Sequence, residues 1–138
     1  MHKLLIDINV ILDVALGRQP HVNSSQKILS YIETKKATGY ISAISCPTIY
    51  YLIQKETNSK KALSYIQDLL KLVSVVEVNK KILERGFELE TKDFEDNIQL
   101  ACAEICRANY IITRNSTDYK NSSIPPISPA EYLATFTS

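Results

Sequence analysis

Four short, mostly apolar runs, residues 3–6, 40–44, 73–78 and 110–113, are separated by stretches in which apolar residues recur at helical spacing. Runs of this length are too brief for amphipathic helices and suit strands buried on both faces. Strands alternating with helices build a parallel sheet covered on each side. The pattern therefore predicts an α/β fold: a three-layer α/β/α sandwich around a small parallel sheet of four to five strands. At 138 residues the chain fits one domain spanning 1–138.

The intervening segments carry their own punctuation. Residues 9–16 read as a helix stopped by Gly17. Asn23 or Ser24 caps the next, with Ile28, Leu29 and Ile32 inward, and Gly39 closes that region. Pro47 suits a first helical turn, followed by Ile49, Leu52 and Ile53 on one face. After a polar break at Thr57, Asn58 and Ser59, residues Ala62, Ile66, Leu69, Leu70 and Val73 keep helical spacing. Asn79 opens a helix running to about residue 90. Asp93 caps another, over 94–108, with Phe94, Ile98, Ala101, Cys102 and Ile105 as its inward stripe. A polar loop containing Pro125 and Pro126 leads to Ser128, Pro129 and Glu131, a capping box with proline at the first helical position.

A formal net charge of +1 excludes a strong global attraction to nucleic acid or anionic membrane, though not a local basic rim. Three cysteines, an odd number without secretory spacing, argue against a disulfide framework. Cys102 and Cys106 share a helix face at i, i+4 and lack further soft ligands nearby, so they are expected to be buried thiols. Asp7, Asn9 and Asp13 interrupt the first apolar stretch, which is unlike a signal peptide. No run approaches the roughly 20 apolar residues of a membrane span. A cytoplasmic protein is expected.

Ligands of parallel sheets gather beyond the carboxyl ends of the strands. Asp7 follows the first strand directly, and Asn115 and Asp118 follow the fourth. Asp96 lies in the first turn of its helix; Asp93 either caps that helix or joins the site, and Glu95 is expected to be solvated. Each alone reads equally well as a cap or turn residue. Together, Asp7, Asp96 and Asp118 or Asn115 come from distant segments that a parallel sheet brings to one edge. Crowded carboxylates raise one another's pKa, and a divalent cation removes that penalty; an all-oxygen set suits Mg²⁺ or Mn²⁺ rather than zinc. Arg18, His21 and Arg114 lie on loops near the same edge and are candidates for contacting a ligand's phosphates, or are simply solvated. His2 and His21 are expected at the surface.

The segments Leu5-Ile6-Asp7-Ile8-Asn9-Val10, Asp93-Phe94-Glu95-Asp96-Asn97-Ile98-Gln99 and Ile111-Ile112-Thr113-Arg114-Asn115 with Asp118-Tyr119 resemble, in order and context, the PIN-domain ribonucleases. Members of that family include the toxin half of VapBC-type toxin–antitoxin pairs. The resemblance implies a PIN-like fold and cleavage of single-stranded RNA with Mg²⁺ or Mn²⁺ held by three or four acids. It makes Asp7 the first acid, Asp96 the third, and Asn115 or Asp118 the fourth. Thr113 becomes the hydroxyl beside the metal and Asn9 its small polar neighbour. It also implies an antitoxin partner and a homodimer, for which Tyr50, Tyr51 and Tyr65 offer aromatic surface. The sequence departs from the family at the second acid, where Thr48 stands. Glu56 is eight residues further along the same helix, about 12 Å away, and cannot substitute. Two readings follow: a metal-dependent endoribonuclease, or a PIN-like domain that binds RNA or a protein partner without cutting. A phosphate-receiving signalling domain fits less well, because the later strand ends offer no matching Asp and Lys.

Overall fold

The computed structural model describes residues 1–91, 93–119 and 121–137. Its elements run β1 (His2–Ile6), α1 (Ile8–Ala15), α2 (Val22–Glu33), β2 (Ala37–Ser42), α3 (Ser45–Glu56), α4 (Ser59–Leu72), β3 (Ser74–Val76), α5 (Lys80–Glu88), α6 (Phe94–Ile105), β4 (Tyr110–Ile112), a 3-10 turn (Ser116–Tyr119), β5 (Pro126–Ile127) and α7 (Pro129–Phe136). Five strands pair in the order β3-β2-β1-β4-β5, all parallel. The hydrophobic β1 takes the centre. Its alternating side chains feed two cores: Leu4 and Ile6 pack among α1, α2, α3, α4 and α7, while Leu5 packs under α5 and α6. The three layers expected from the alternation of runs are present.

Several local expectations need correction. β2 begins at Ala37, so Gly39 lies within a strand instead of closing the region before it. A Cβ at Gly39 would stand 2.8 Å from Ile32 Cδ1, and the bare glycine lets α2 approach the sheet. Neither Asn23 nor Ser24 caps α2; the helix starts earlier, with His21 at the cap position and no side-chain cap bond. α6 ends at Ile105, not at 108, because Arg107 turns left-handed (φ 57°). Phe94 and Ile105 do not face inward: at 43 % and 63 % exposure they stand at the two ends of α6, beyond the sheet it covers. The segment expected to be only loop contains β5; the carbonyls of Pro125, just before it, and of Ile127 accept from Ile111 and Thr113. Proline is tolerated there because the strand lies at the sheet edge. His2 is not a plain surface residue. Its ring packs edge-on to Tyr110, Tyr132 and Phe136, and Nδ1 lies 2.9 Å from the Tyr132 hydroxyl.

Other signals hold. Asn58, Asn79 and Asp93 cap α4, α5 and α6 through their side chains, and Ser128 with Glu131 forms the capping box of α7. Gly17, at φ 62°, ends α1 with the left-handed turn that glycine adopts without steric cost. Cys102 is fully buried, whereas Cys106, at the end of α6, is only half-buried. Among the described residues no helix is long and apolar enough to cross a membrane.

Candidate active site

Asp7 is the residue at which β1 becomes α1. Its backbone N–H still belongs to the sheet, donating to Ile112 O at 2.9 Å. Its side chain stands at the helix N-cap position but makes no cap bond. The carboxylate turns instead to two partners. Thr113, the first residue after β4, donates its hydroxyl to Oδ2 at 2.8 Å, and Gln99 of α6 donates Nε2 to Oδ1 at 3.2 Å. β1 and β4 are hydrogen-bonded neighbours, with Ile6 opposite Ile112, so Asp7 and Thr113 leave the sheet side by side. The Thr113 hydroxyl also accepts from Asn115 N at 3.1 Å, tying the start of the following loop to the same point.

α6 brings the second carboxylate. Asp93 caps this helix by accepting from Asp96 N at 2.8 Å, which resolves its role as a cap at the cleft edge. The helix is set against α5 by Gly86, where a Cβ would meet Ile98 Cδ1 at 2.6 Å, and by buried Asn97. Asn97 donates to Gly86 O and Leu89 O and accepts from both the backbone and the hydroxyl of Thr91. Asp96 and Gln99, three residues apart, share the face turned to β1. Gln99 Nε2 lies 3.5 Å from Asp96 Oδ1 while also reaching Asp7, and it donates to the Tyr119 hydroxyl at 2.8 Å. Tyr119, fully buried, donates in turn to Asp96 Oδ1 at 3.3 Å. One amide and one phenol thus hold two carboxylates that are distant in sequence.

The resulting cleft, about 360 Å³, is lined by Asp7, Asn9, Thr48, Asp96, Asn115 and Asp118, together with Asp93, Glu95 and Gln99. The sequence-predicted acids, Asn9 and Thr48 are therefore brought together, and Glu95 faces this cleft as well, contrary to its expected solvation. Glu56 is exposed at the far end of α3 and is not among the lining residues. Burial raises the Asp7 carboxyl above its ordinary value despite the bonds from Thr113 and Gln99. Burial, then the charges of Asp93, Asp7 and Asp118, push Asp96 up to about 7. Glu95 is raised by burial and by Asp93 and Asp7. Burial, and then the negative charges of Asp7 and Asp96, keep Tyr119 a neutral phenol and hence a donor.

The basic candidates lie elsewhere. Arg114 Nε stands 3.0 Å from Asp13 Oδ2 and Arg18 Nη1 4.0 Å from Asp13 Oδ1, so both guanidinium groups turn to a carboxylate with no solvent exposure. Arg114 and His21 line a separate cleft with Pro20, Ser24 and Ser128.

The model of the PIN domain family matches residues 3–117. The chain belongs to the PIN domain family. This PIN domain is 27 % identical over 137 residues to Ribonuclease VapC1 of Aquifex aeolicus (strain VF5), covering 94 % of this chain and 92 % of that protein. Its fold superposes on a toxin–antitoxin complex from Klebsiella pneumoniae with a TM-score of 0.67 at 22 % identity, over 91 % of this chain and 97 % of that one. DNA-bound VapBC from Salmonella typhimurium gives 0.69 at 13 % identity, over 94 % and 99 %. At these identities the structural likeness is one of fold. Gln99, Tyr119 and Asp13 are the features of this PIN domain that sequence reasoning missed. The first was discoverable from its i+3 spacing to Asp96; the other two depend on contacts that only the topology creates.

Proposed function

We propose that this PIN domain is a divalent-metal-dependent endoribonuclease for single-stranded RNA, acting as the toxin of a toxin–antitoxin pair. The observation that carries the reading is the pairing of Asp7 with Asp96 through Gln99 in an open cleft that also holds Asn115 and Asp118. The names of its relatives, a ribonuclease and toxin–antitoxin complexes, point the same way. Among the described residues no three His, Cys, Asp or Glu side chains close around one point as a ready-made metal cage. The donors nevertheless fit a hard cation bound through one or two carboxylates plus water, the habit of Mg²⁺. All are oxygens, and both central carboxyls are raised by burial, with Asp7 adding to the rise of Asp96, which is the penalty a cation relieves.

Asp7 and Asp96 would hold Mg²⁺ or Mn²⁺, with Asp118 and Asn115 at the rim. When bound, the ion supplies a water of lowered pKa and neutralises charge on the phosphate. Thr113 and Gln99 keep the Asp7 carboxylate aimed at the cleft. Tyr119 does the same for Asp96. Thr48 offers a hydroxyl where the family's second acid would stand, and Asn9 a polar neighbour. His21, in a separate cleft, is a candidate contact for an RNA strand extending beyond the site. The antitoxin, a homodimer with half-exposed Tyr51 as aromatic surface, and a cytoplasmic setting complete the proposal.

RNA cleavage with Mn²⁺ or Mg²⁺, run beside Asp96→Asn, tests the reading. Metal-dependent cleavage lost in the variant is the expected result. Cleavage indifferent to Asp96 or to added metal contradicts it. Thr48 in the cleft favours the second reading, a domain that binds without cutting; RNA retained but intact would select it.

A further inference from the structure

Asp13 is buried with no exposed surface, and neither of its carboxylate oxygens receives a well-directed hydrogen bond. Such a group is expensive to bury unless charge compensates it. Two arginines do so: Arg114 Nε at 3.0 Å and Arg18 Nη1 at 4.0 Å. An ion pair of this kind is weak evidence for stability, since apolar replacements of similar volume are often as stable. Its placement is more telling. Asp13 is on α1, the helix that begins beside Asp7, and Arg114 directly follows Thr113. α1 and the loop after β4 are therefore tied twice, by Thr113 to Asp7 at 2.8 Å and by Arg114 to Asp13 at 3.0 Å. The left-handed Gly17 lets the chain fold back so that Arg18 N donates to Asp13 O at 2.9 Å, which brings the second arginine to the same carboxylate.

We propose that Asp13 is a positioning residue: by anchoring Arg114 it fixes the loop after β4, so that Thr113 meets Asp7 and Asn115 and Asp118 stay at the cleft. Arg114 then serves this anchor and not RNA phosphate. The inference rests on the ribonuclease reading for its kinetic consequences but not for its structural one.

The test compares wild type with Asp13→Asn, Arg114→Met and the double variant. Loss of a group bonded directly to a metal ligand costs about 10–100-fold in activity or metal affinity; Asp13 acts one step behind such a group, Thr113, so the lower end, about 10-fold, is expected. Both single variants should lose that much kcat on a short single-stranded RNA, with KM and its salt dependence unchanged. They should also need more Mn²⁺ for the same rise in melting temperature. The double variant removes the buried carboxylate together with its nearer cation and leaves only the partly exposed Arg18 without a partner, so it should melt near wild type yet stay as slow as either single variant. Amide hydrogen exchange over 113–118, measured without metal, should quicken in Asp13→Asn and in the double variant. Wild-type kcat and exchange in a well-folded double variant would overturn the proposal. So would an Arg114→Met effect confined to KM, with the salt slope reduced by about one, since that marks a phosphate contact. If wild type does not cleave RNA, the ribonuclease reading fails, while the exchange measurement still decides the role of Asp13.

Discussion

The hydroxyl of Thr113 donates to Asp7 Oδ2 at 2.8 Å, although 106 positions of sequence separate the two residues. Both are buried, so the bond is made where water cannot replace it. Thr113→Val keeps the shape and removes the donor. Leaving a buried acceptor short of a partner costs about 1–3 kcal/mol. Urea denaturation should show that loss, and a weaker response of the melting temperature to Mn²⁺ should accompany it.

The pH dependence follows from Asp96. Its carboxyl is raised from 3.8 to about 7 in the folded chain, and Asp7 is raised as well. The folded state then holds protons that the unfolded chain has already released, so stability falls as pH rises between these values. The metal-free protein should be most stable below about pH 4 as far as these groups contribute, losing that contribution progressively up to about pH 7. Asp96→Asn should flatten the slope, with the part due to Asp7 remaining. Thermal melts at fixed ionic strength from pH 5 to 8 measure it; equal slopes in the two proteins would mean that Asp96 does not titrate in this range.

Thr48 lines the cleft opposite the acids of α6. Thr48→Glu adds a charge and an oxygen donor there. Without metal the variant should melt slightly below wild type, because another carboxylate joins a repelling group. With Mn²⁺ it should gain more, since a tighter Kd increases ligand stabilisation. Superimposable Mn²⁺ titrations of the two proteins would remove Thr48 from the site.

Tyr119 accepts from Gln99 and donates to Asp96. Tyr119→Phe leaves the ring in its buried place and deletes both bonds. A loss of about 1–2 kcal/mol in unfolding free energy is expected, with the Asp96 carboxyl displaced further upward. A ¹³C-carboxyl NMR titration would report that displacement directly.

The legible part of this molecule is the part written in local pattern. Asp7 is visible because a charged residue directly after an apolar strand must lie at the sheet's edge, and Asp96 because Asp93 announces a helix start three residues earlier. The capping box of α7 is legible for the same reason. Glu95 reads as solvated in the sequence because its place in the cleft depends on how the start of α6 packs against β1, a tertiary matter. Asp13 resembles any polar break in an amphipathic helix; only the meeting of α1 with the loop after β4 supplies its arginines. β5 is two residues long and begins with proline, so nothing but its ladder to β4 reveals it.

The central place of β1 bears on when this molecule becomes whole. This strand is flanked by β2 on one side and by β4 on the other. Asp7 directly follows this strand, yet Gln99, Thr113 and Tyr119, which hold its carboxylate and that of Asp96, all lie 92 or more positions later. A polypeptide that stops before residue 113 carries the first acid without the Thr113 hydroxyl, and one that stops before residue 99 lacks both of its anchors. Removing residues 99–119 would therefore leave the first acid in place but take away the frame of the cleft, which is completed only by elements distant from β1 in sequence.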